Sequence, residues 1–237
     1  MKALILAAGY GKRLMPLTKH TPKCLTKINK QQTIIDFWIE KINKIGIKDI
    51  LINTHYLNRS VNNHIKKKKF INNIKITYEK KLLGTAGTLL RNKSFFSNQK
   101  GLLLHADNYV DINLNSLIKA HNLRPKSCTL TMLTFNSKDP KNVGIVKTDK
   151  KNRLKKYYEK CSNKPGKANG AIYVLDQKFI SQINSKNFRN KDFSKDIIPI
   201  YKKKIFCFHT NKFFIDIGNK KNIKILRKRL SKNEKKN

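Results

Sequence analysis

The run Leu4-Ile5-Leu6-Ala7-Ala8-Gly9-Tyr10-Gly11-Lys12-Arg13 constrains this chain more than any other stretch, because an apolar strand ends there in a glycine-rich, cationic loop. Two glycines one residue apart let the backbone turn sharply and bring N–H groups against an anion. Lys12, Arg13 and, beyond Pro16-Leu17-Thr18 and Pro22, Lys23 place positive charge around that turn. A loop of this kind holds phosphate, which points to a chain that handles nucleotides. Two familiar phosphate loops are excluded by the letters. A Walker loop needs Gly-Lys followed by Ser or Thr, and here Arg13 follows Gly11-Lys12; the third glycine of a dinucleotide fingerprint would fall at Leu14.

Short apolar runs at Ala3–Ala7, Ile50–Thr54, Ile74–Tyr78 and Gly101–His105 alternate with amphipathic stretches at Thr33–Ile45, Val61–Lys68 and Thr85–Phe95. The alternation predicts βαβ units and an α/β fold with a Rossmann-like, mostly parallel sheet flanked by helices. Ligands on such sheets sit beyond the carboxyl ends of the strands, where Gly9–Lys23, Asn53–Tyr56, Glu79–Gly87 and Asp107-Asn108 all fall. After residue 125 the texture changes to extended segments at Cys128–Phe135, Val143–Thr148 and Asn169–Leu175, broken by Asp139-Pro140 and Asn163-Lys164-Pro165-Gly166. This predicts a small mixed-sheet lobe. A strand at Phe213–Ile217 and a helix from about Lys220 to Leu230 follow, and the charged tail from residue 227 to 237 is expected to be disordered.

The formal charge of +39 raises a nucleic-acid role, supported by charge alone. Only 8 of the 53 basic residues are Arg, and 27 Asn and 28 Ile accompany them, a bias that A- and T-rich codons produce. Runs such as Lys66 to Lys69 and Lys202 to Lys204 therefore read as solvated surface, and no nucleic-acid partner is expected. Cys24, Cys128, Cys161 and Cys207 form no Cys-x-x-Cys pair and have no His at zinc spacing, which predicts reduced thiols rather than a metal knuckle or disulfide framework. With no long apolar stretch and no secretory pattern, the expectation is a soluble, cytoplasmic protein without a membrane partner.

Gly9-x-Gly11-x-Arg13 with Pro16-Leu17-Thr18 and Pro22-Lys23 resembles the signature of the sugar-1-phosphate nucleotidylyltransferases, also called nucleotide-sugar pyrophosphorylases. Glu79 followed by Leu83-Gly84-Thr85-Ala86-Gly87 is most similar to bacterial mannose- and heptose-1-phosphate guanylyltransferases. The resemblance implies attack by a sugar 1-phosphate oxygen on the α-phosphorus of a nucleoside triphosphate, giving a nucleotide sugar and pyrophosphate. It implies nucleotide contacts at Ala8, Gly9, Gly11, Arg13, Lys23, Glu79, Gly84, Thr85, Ala86 and Asp107, with unpaired N–H groups at the helix start near Thr85. Sugar-phosphate contacts are implied at Gly144, Glu159, Lys160, Asn169 and Gly170, and Arg13, Lys23, Asp107 and Lys160 become the catalytic set. Asp107 and Asp216, each at a strand end, are the implied metal ligands, and hard carboxylate oxygens with few protein donors suit Mg²⁺. Three departures from the family pattern stand out: Ala106 before Asp107 where glycine is usual, and Cys24 and Cys161 where proline is usual.

These expectations describe one catalytic domain, residues 1–226, with a nucleotide-binding part of about 1–125 and a sugar-binding part of about 126–217, and no accessory domain. The best-fitting substrates are GTP with mannose 1-phosphate or a heptose 1-phosphate. Transfer from dTTP or UTP to a hexose phosphate is the alternative, followed by a non-catalytic nucleotide-sugar sensor. Self-association into a homo-oligomer is left open by the sequence.

Overall fold

The computed structural model describes residues 1–160, 163–184 and 191–234. In chain order the elements are β1 (Lys2–Leu6), α1 (Ile34–Asn43), β2 (Asp49–Thr54), α2 (Asn58–Lys68), β3 (Asn73–Tyr78), α3 (Gly84–Arg91), β4 (Gly101–His105), β5 (Asn108–Val110) and α4 (Leu114–Leu123). There follow β6 (Leu130–Ser137), β7 (Gly144–Thr148), β8 (Leu154–Glu159), β9 (Gly166–Leu175), α5 (Gln177–Gln182), α6 (Ile198–Tyr201), β10 (Ile205–Thr210), β11 (Phe214–Asp216) and α7 (Lys220–Glu234). The fold is α/β, with a large, mostly parallel sheet flanked by helices and a small two-stranded antiparallel sheet, in agreement with the sequence expectation.

The chain forms two compact units, each drawing segments from both sides of residue 125. One comprises residues 1–4, 83–104 and 112–212. Its strand order is β10-β6-β9-β4-β1, with β10 parallel to β6 and β9 antiparallel to both of its neighbours. β7 and β8 make an antiparallel hairpin, and Ile145 of β7 pairs with Ala168 of β9. This is the mixed-sheet texture expected after residue 125.

The other unit comprises residues 5–82, 105–111 and 213–237. β2 and β3 run parallel in register, Asn53 opposite Thr77 and Thr54 opposite Tyr78. The crossover helix α1 opens with a capping box, in which Asp36 N–H donates to Thr33 Oγ1 and Thr33 N–H to Asp36 Oδ2. Its Ile34, Ile35, Trp38, Ile39 and Ile42 are fully buried, each aliphatic side chain gaining roughly 1.5–3 kcal/mol over exposure. Trp38 Nε1 also donates to the Asn108 carbonyl at 2.8 Å, fixing the turn that carries Asp107.

The tail departs from expectation. α7 begins at Lys220 as expected but continues past Leu230 to Glu234, so the described part of the charged tail is helical; 235–237 lie outside the described residues. Ile223 and Leu226 are buried on its inner face, Arg227 donates to the Lys27 carbonyl at 2.7 Å, and Arg229 pairs with Asp111 at 2.9 Å. Packing and these polar ties supply what the charged sequence lacks. Cys24, Cys128 and Cys207 are buried free thiols, while Cys161 lies outside the described residues. Among the described residues no helix is long and apolar enough to cross a membrane.

Candidate active site

The glycine loop leaves β1 in the second unit. Gly11 has φ +67°, and a Cβ there would approach Thr18 Cγ2 to 2.9 Å and Lys23 Cβ to 3.3 Å. Glycine is therefore required twice, by the left-handed backbone and by the close passage of the strand of chain that carries Lys23. Thr18 Oγ1 donates to the Gly11 carbonyl at 2.9 Å and closes that contact. At Gly9 nothing lies within 4 Å of the Cβ position, and the neighbouring Ala8 is buried.

β5 and β11 bring the two acids together. Asp216 stands opposite Asn108 in their antiparallel ladder, and Ile217 N–H donates to the Asp107 carbonyl at 2.9 Å. The Lys23 ammonium donates to the Asp107 carboxylate in a close ion pair and lies 3.9 Å from Asp216 Oδ1. Asp216 Oδ1 in turn accepts from the Gly218 N–H. Arg13 completes the cluster: a Cβ on Gly218 would lie 2.9 Å from its Nη2, so glycine is what lets the guanidinium pass. Burial penalises the charge of Asp107, yet Lys23, with His105, holds its carboxyl below the usual carboxylate range. Asp216 shifts the other way, pushed up by desolvation and then by the charge of Asp107, against the pull of Lys23 and Arg13. Arg13, Lys23, Asp107 and Asp216 thus meet in one cluster.

Glu79 is 1% exposed, and its Oε1 accepts from Asn53 Nδ2 at 2.9 Å, so its carboxylate is engaged with the protein. Asn53, His55 and Tyr10 form a hydrogen-bonded group with it, and these links between segments were not readable in the sequence.

In the first unit, Gly84, Thr85 and Ala86 open α3, but their neighbourhood is already occupied. Ala86 N–H and Gly87 N–H both donate to the Lys191 carbonyl, at 2.9 and 3.3 Å, so these amides are not left unpaired as expected. The Thr85 hydroxyl donates to Asp192 Oδ2 at 3.2 Å and accepts from Phe193 N–H at 2.7 Å. Gly84, at φ +74°, leaves room for the Lys191 carbonyl where a Cβ would collide.

The same unit gathers Glu159, Asn169, Tyr157, Tyr173 and Ser194. Tyr157 donates to Glu159 Oε2 at 2.5 Å, and Asn169 exchanges hydrogen bonds with Tyr173 at 2.7 and 3.0 Å. Asn169 Oδ1 also accepts from Ala171 N–H at 2.9 Å, which orients the amide. Burial and the charge of neighbouring groups push both phenols well above their ordinary range, so they act as neutral donors. Gly144 stands directly under the Tyr157 ring, and a Cβ there would collide with it. A Cβ on Gly170 would lie in tight contact with Leu133, at 3.2 Å. Lys160, in a left-handed conformation at φ +52°, leaves 61% of its side chain exposed, with Nζ 4.0 Å from Glu159 Oε1. The tyrosines are a further set that sequence reasoning missed.

Residues 2–232 match the family model described as Nucleotidyl transferase. A D-glycero-alpha-D-manno-heptose 1-phosphate guanylyltransferase of Campylobacter jejuni is 28% identical over 92% of this chain and 95% of its own length. A mannose-1-phosphate guanyltransferase beta-B of Xenopus laevis is 26% identical over 93% of this chain, and a glucose-1-phosphate adenylyltransferase of Clostridium acetobutylicum 25% identical over 91%. The chain spans 62% and 63% of the length of these last two. In fold it is similar to the crystal structure of HddC from Yersinia pseudotuberculosis complexed with GMP-PN, with a TM-score of 0.80, 20% identity, and 97% of this chain and 99% of that one covered.

Proposed function

Because the chain belongs to the nucleotidyl transferase family, we propose that it is a sugar-1-phosphate nucleotidylyltransferase, joining a nucleoside triphosphate and a sugar 1-phosphate to give a nucleotide sugar and pyrophosphate. GTP with mannose 1-phosphate or a heptose 1-phosphate is the pairing its relatives favour. On this reading it is a cytoplasmic enzyme with a single catalytic domain and small-molecule substrates, supplying nucleotide sugars for polysaccharide synthesis.

Two anions must meet in this reaction. A single pair of unit charges about 5 Å apart repels by roughly 3 kcal/mol at an effective dielectric of about 20, so cations held in place do most of the work. The convergence of Lys23, Arg13, Asp107 and Asp216 beside the Gly9–Gly11 turn carries the reading. Lys23 and Arg13 would neutralise the triphosphate, and the Gly9 and Gly11 amides would hold its oxygens. Asp107 keeps the Lys23 ammonium from wandering, so its charge is oriented before the substrate binds. The incoming sugar phosphate oxygen forms a bond to the α-phosphorus as the bond to the pyrophosphate oxygen breaks in line, with no protein nucleophile. Lys160 would take the sugar phosphate, and Glu159 and Asn169 the hydroxyls.

A divalent cation fits the donor set. Asp107 and Asp216 supply hard oxygens, and burial first, then the charge of Asp107, holds the Asp216 carboxyl above its ordinary range. Among the described residues no third His, Cys, Asp or Glu joins them, which suits an ion that keeps waters and substrate oxygens, as Mg²⁺ does. Held by these two carboxylates, it would offset charge on the phosphates.

The test is pyrophosphate release with GTP, dTTP, UTP, CTP and ATP crossed with mannose, glucose and heptose 1-phosphates, with Mg²⁺ and with EDTA. A Mg²⁺-dependent signal for one pair is expected. Nucleotide binding without turnover on any sugar phosphate would favour a sensor and overturn the enzymatic reading.

A further inference from the structure

Asn53, His55 and Tyr56, at and just beyond the end of β2, each hold a different point of the glycine loop. Ala7 N–H donates to Asn53 Oδ1 at 2.8 Å, the Tyr10 hydroxyl lies 2.7 Å from His55 Nε2, and the Tyr56 hydroxyl donates to the Lys19 carbonyl at 2.7 Å. Glu79 stands behind two of these three anchors. Its carboxylate accepts from Asn53, and its carbonyl oxygen lies 2.6 Å from His55 Nδ1. A carbonyl only accepts, so Nδ1 carries the proton, and in the neutral ring Nε2 is then the acceptor for the Tyr10 O–H. The main chain at Glu79 thereby sets the tautomer that Tyr10 requires. The Tyr10 and His55 rings meet edge to face at 5.0 Å, and Tyr56 lies 5.6 Å from Tyr10.

Tyr10 is the residue between the two glycines, and Gly9 beside it has no packing neighbour at its Cβ position. Free, such a turn would lose about 1–2 kcal/mol of backbone entropy per residue on closing around an anion. We infer that Asn53, His55 and Tyr56, backed by Glu79, are positioning residues that hold the Gly9–Arg13 loop in shape, through Ala7, Tyr10 and Lys19, before a triphosphate binds. The inference rests on the reading of this loop as the triphosphate seat.

Amide hydrogen exchange in the full chain tests it without a substrate. Tyr10→Phe removes one hydroxyl from a partly exposed ring. His55→Asn keeps a donor for the Glu79 carbonyl and withdraws the acceptor from Tyr10. Each is expected to speed exchange of the residue 9–13 amides by about threefold to tenfold, the effect of one ordinary hydrogen bond, while β2 and β3 keep their protection. The double variant should exchange no faster than either single one, because the two residues act through one bond. Affinity for tripolyphosphate with Mg²⁺ should fall by the same factor. Unchanged exchange in both single variants, or multiplicative effects in the double variant, would overturn the inference. Faster exchange with unaltered tripolyphosphate affinity would support the anchor and instead remove the triphosphate from the loop, overturning the functional reading.

Discussion

The cluster at the glycine loop and the phenol cluster around Asn169 both keep polar groups under partial cover, but by different means. Around Lys23 two carboxylates and two cations compensate one another, with the ammonium shared between Asp107 and Asp216. Around Asn169 the partners are neutral hydroxyls and an amide, and one carboxylate, Glu159, receives the phenol of Tyr157. Removing Asp107 from the first cluster leaves the Lys23 ammonium without its close partner, whereas removing a hydroxyl from the second forfeits one hydrogen bond. Effect sizes should separate accordingly.

Asp107→Asn is expected to have the largest effect. It frees the Lys23 ammonium and takes away an implied metal ligand, so turnover in the pyrophosphate assay should fall by about two orders of magnitude or more. Circular dichroism should show the fold intact. Activity within a fewfold of wild type would place the chemistry elsewhere and erase the difference between the clusters.

The next effect is steric. Gly144→Ala places a methyl group where the phenol end of Tyr157 lies, so the ring must be displaced from its bond to Glu159. Overpacking of this kind costs about 1–3 kcal/mol, several degrees of Tm in a chain of this length. An unchanged Tm would mean that the ring is free to swing away and that Glu159 is not held by its hydroxyl. Tyr157→Phe is milder: loss of the bond to Glu159 should raise KM for the sugar 1-phosphate by about threefold to tenfold, with KM for the nucleotide unmoved. Equal changes in both constants would refute a local role.

The charged cluster was largely legible in the sequence, and the phenol cluster was not, for a physical reason. A glycine pair beside cations and an acid at the end of an apolar run state their needs locally, as Gly11, Lys23, Asp107 and Asp216 do. A tyrosine hydroxyl has no such local signature. Tyr157 reaches Glu159 two residues along β8 and Tyr173 reaches Asn169 four along β9, but the Tyr157 phenol finds its place only because Gly144 across the hairpin leaves space. Glu79 shows the same limit from the other side. An acid after a strand reads as a ligand, but the register of β2 with β3 sets it behind Asn53. The strands and helices of the first half followed from their periodicity, whereas the helical course of residues 227–234 depended on distant partners, Lys27 and Asp111.

Within the charged cluster the two carboxylates contribute to stability with opposite signs, and this separates function from folding. Asp107 has a depressed folded pKa, so its contribution is present above the unfolded value of 3.8 and is lost as pH falls through the lower folded one. Asp216 has a raised folded pKa, so what it contributes is present below 3.8 and is lost as pH rises through the folded value. At pH 7 its ionised form is therefore a cost to the fold, moderated by water because 45% of its side chain is exposed. Asp216→Asn keeps an oxygen for the Gly218 N–H and removes the charge. It should raise Tm at pH 7 by on the order of 2 °C and leave Tm unchanged at pH 3, while turnover with Mg²⁺ falls. A variant that gains stability as it loses activity would identify Asp216 as a group kept for a cation that the substrate complex brings. A fall in Tm at pH 7 would show instead that Lys23 and Arg13 already balance it, and that the charged cluster, like the phenol cluster, is satisfied without a ligand.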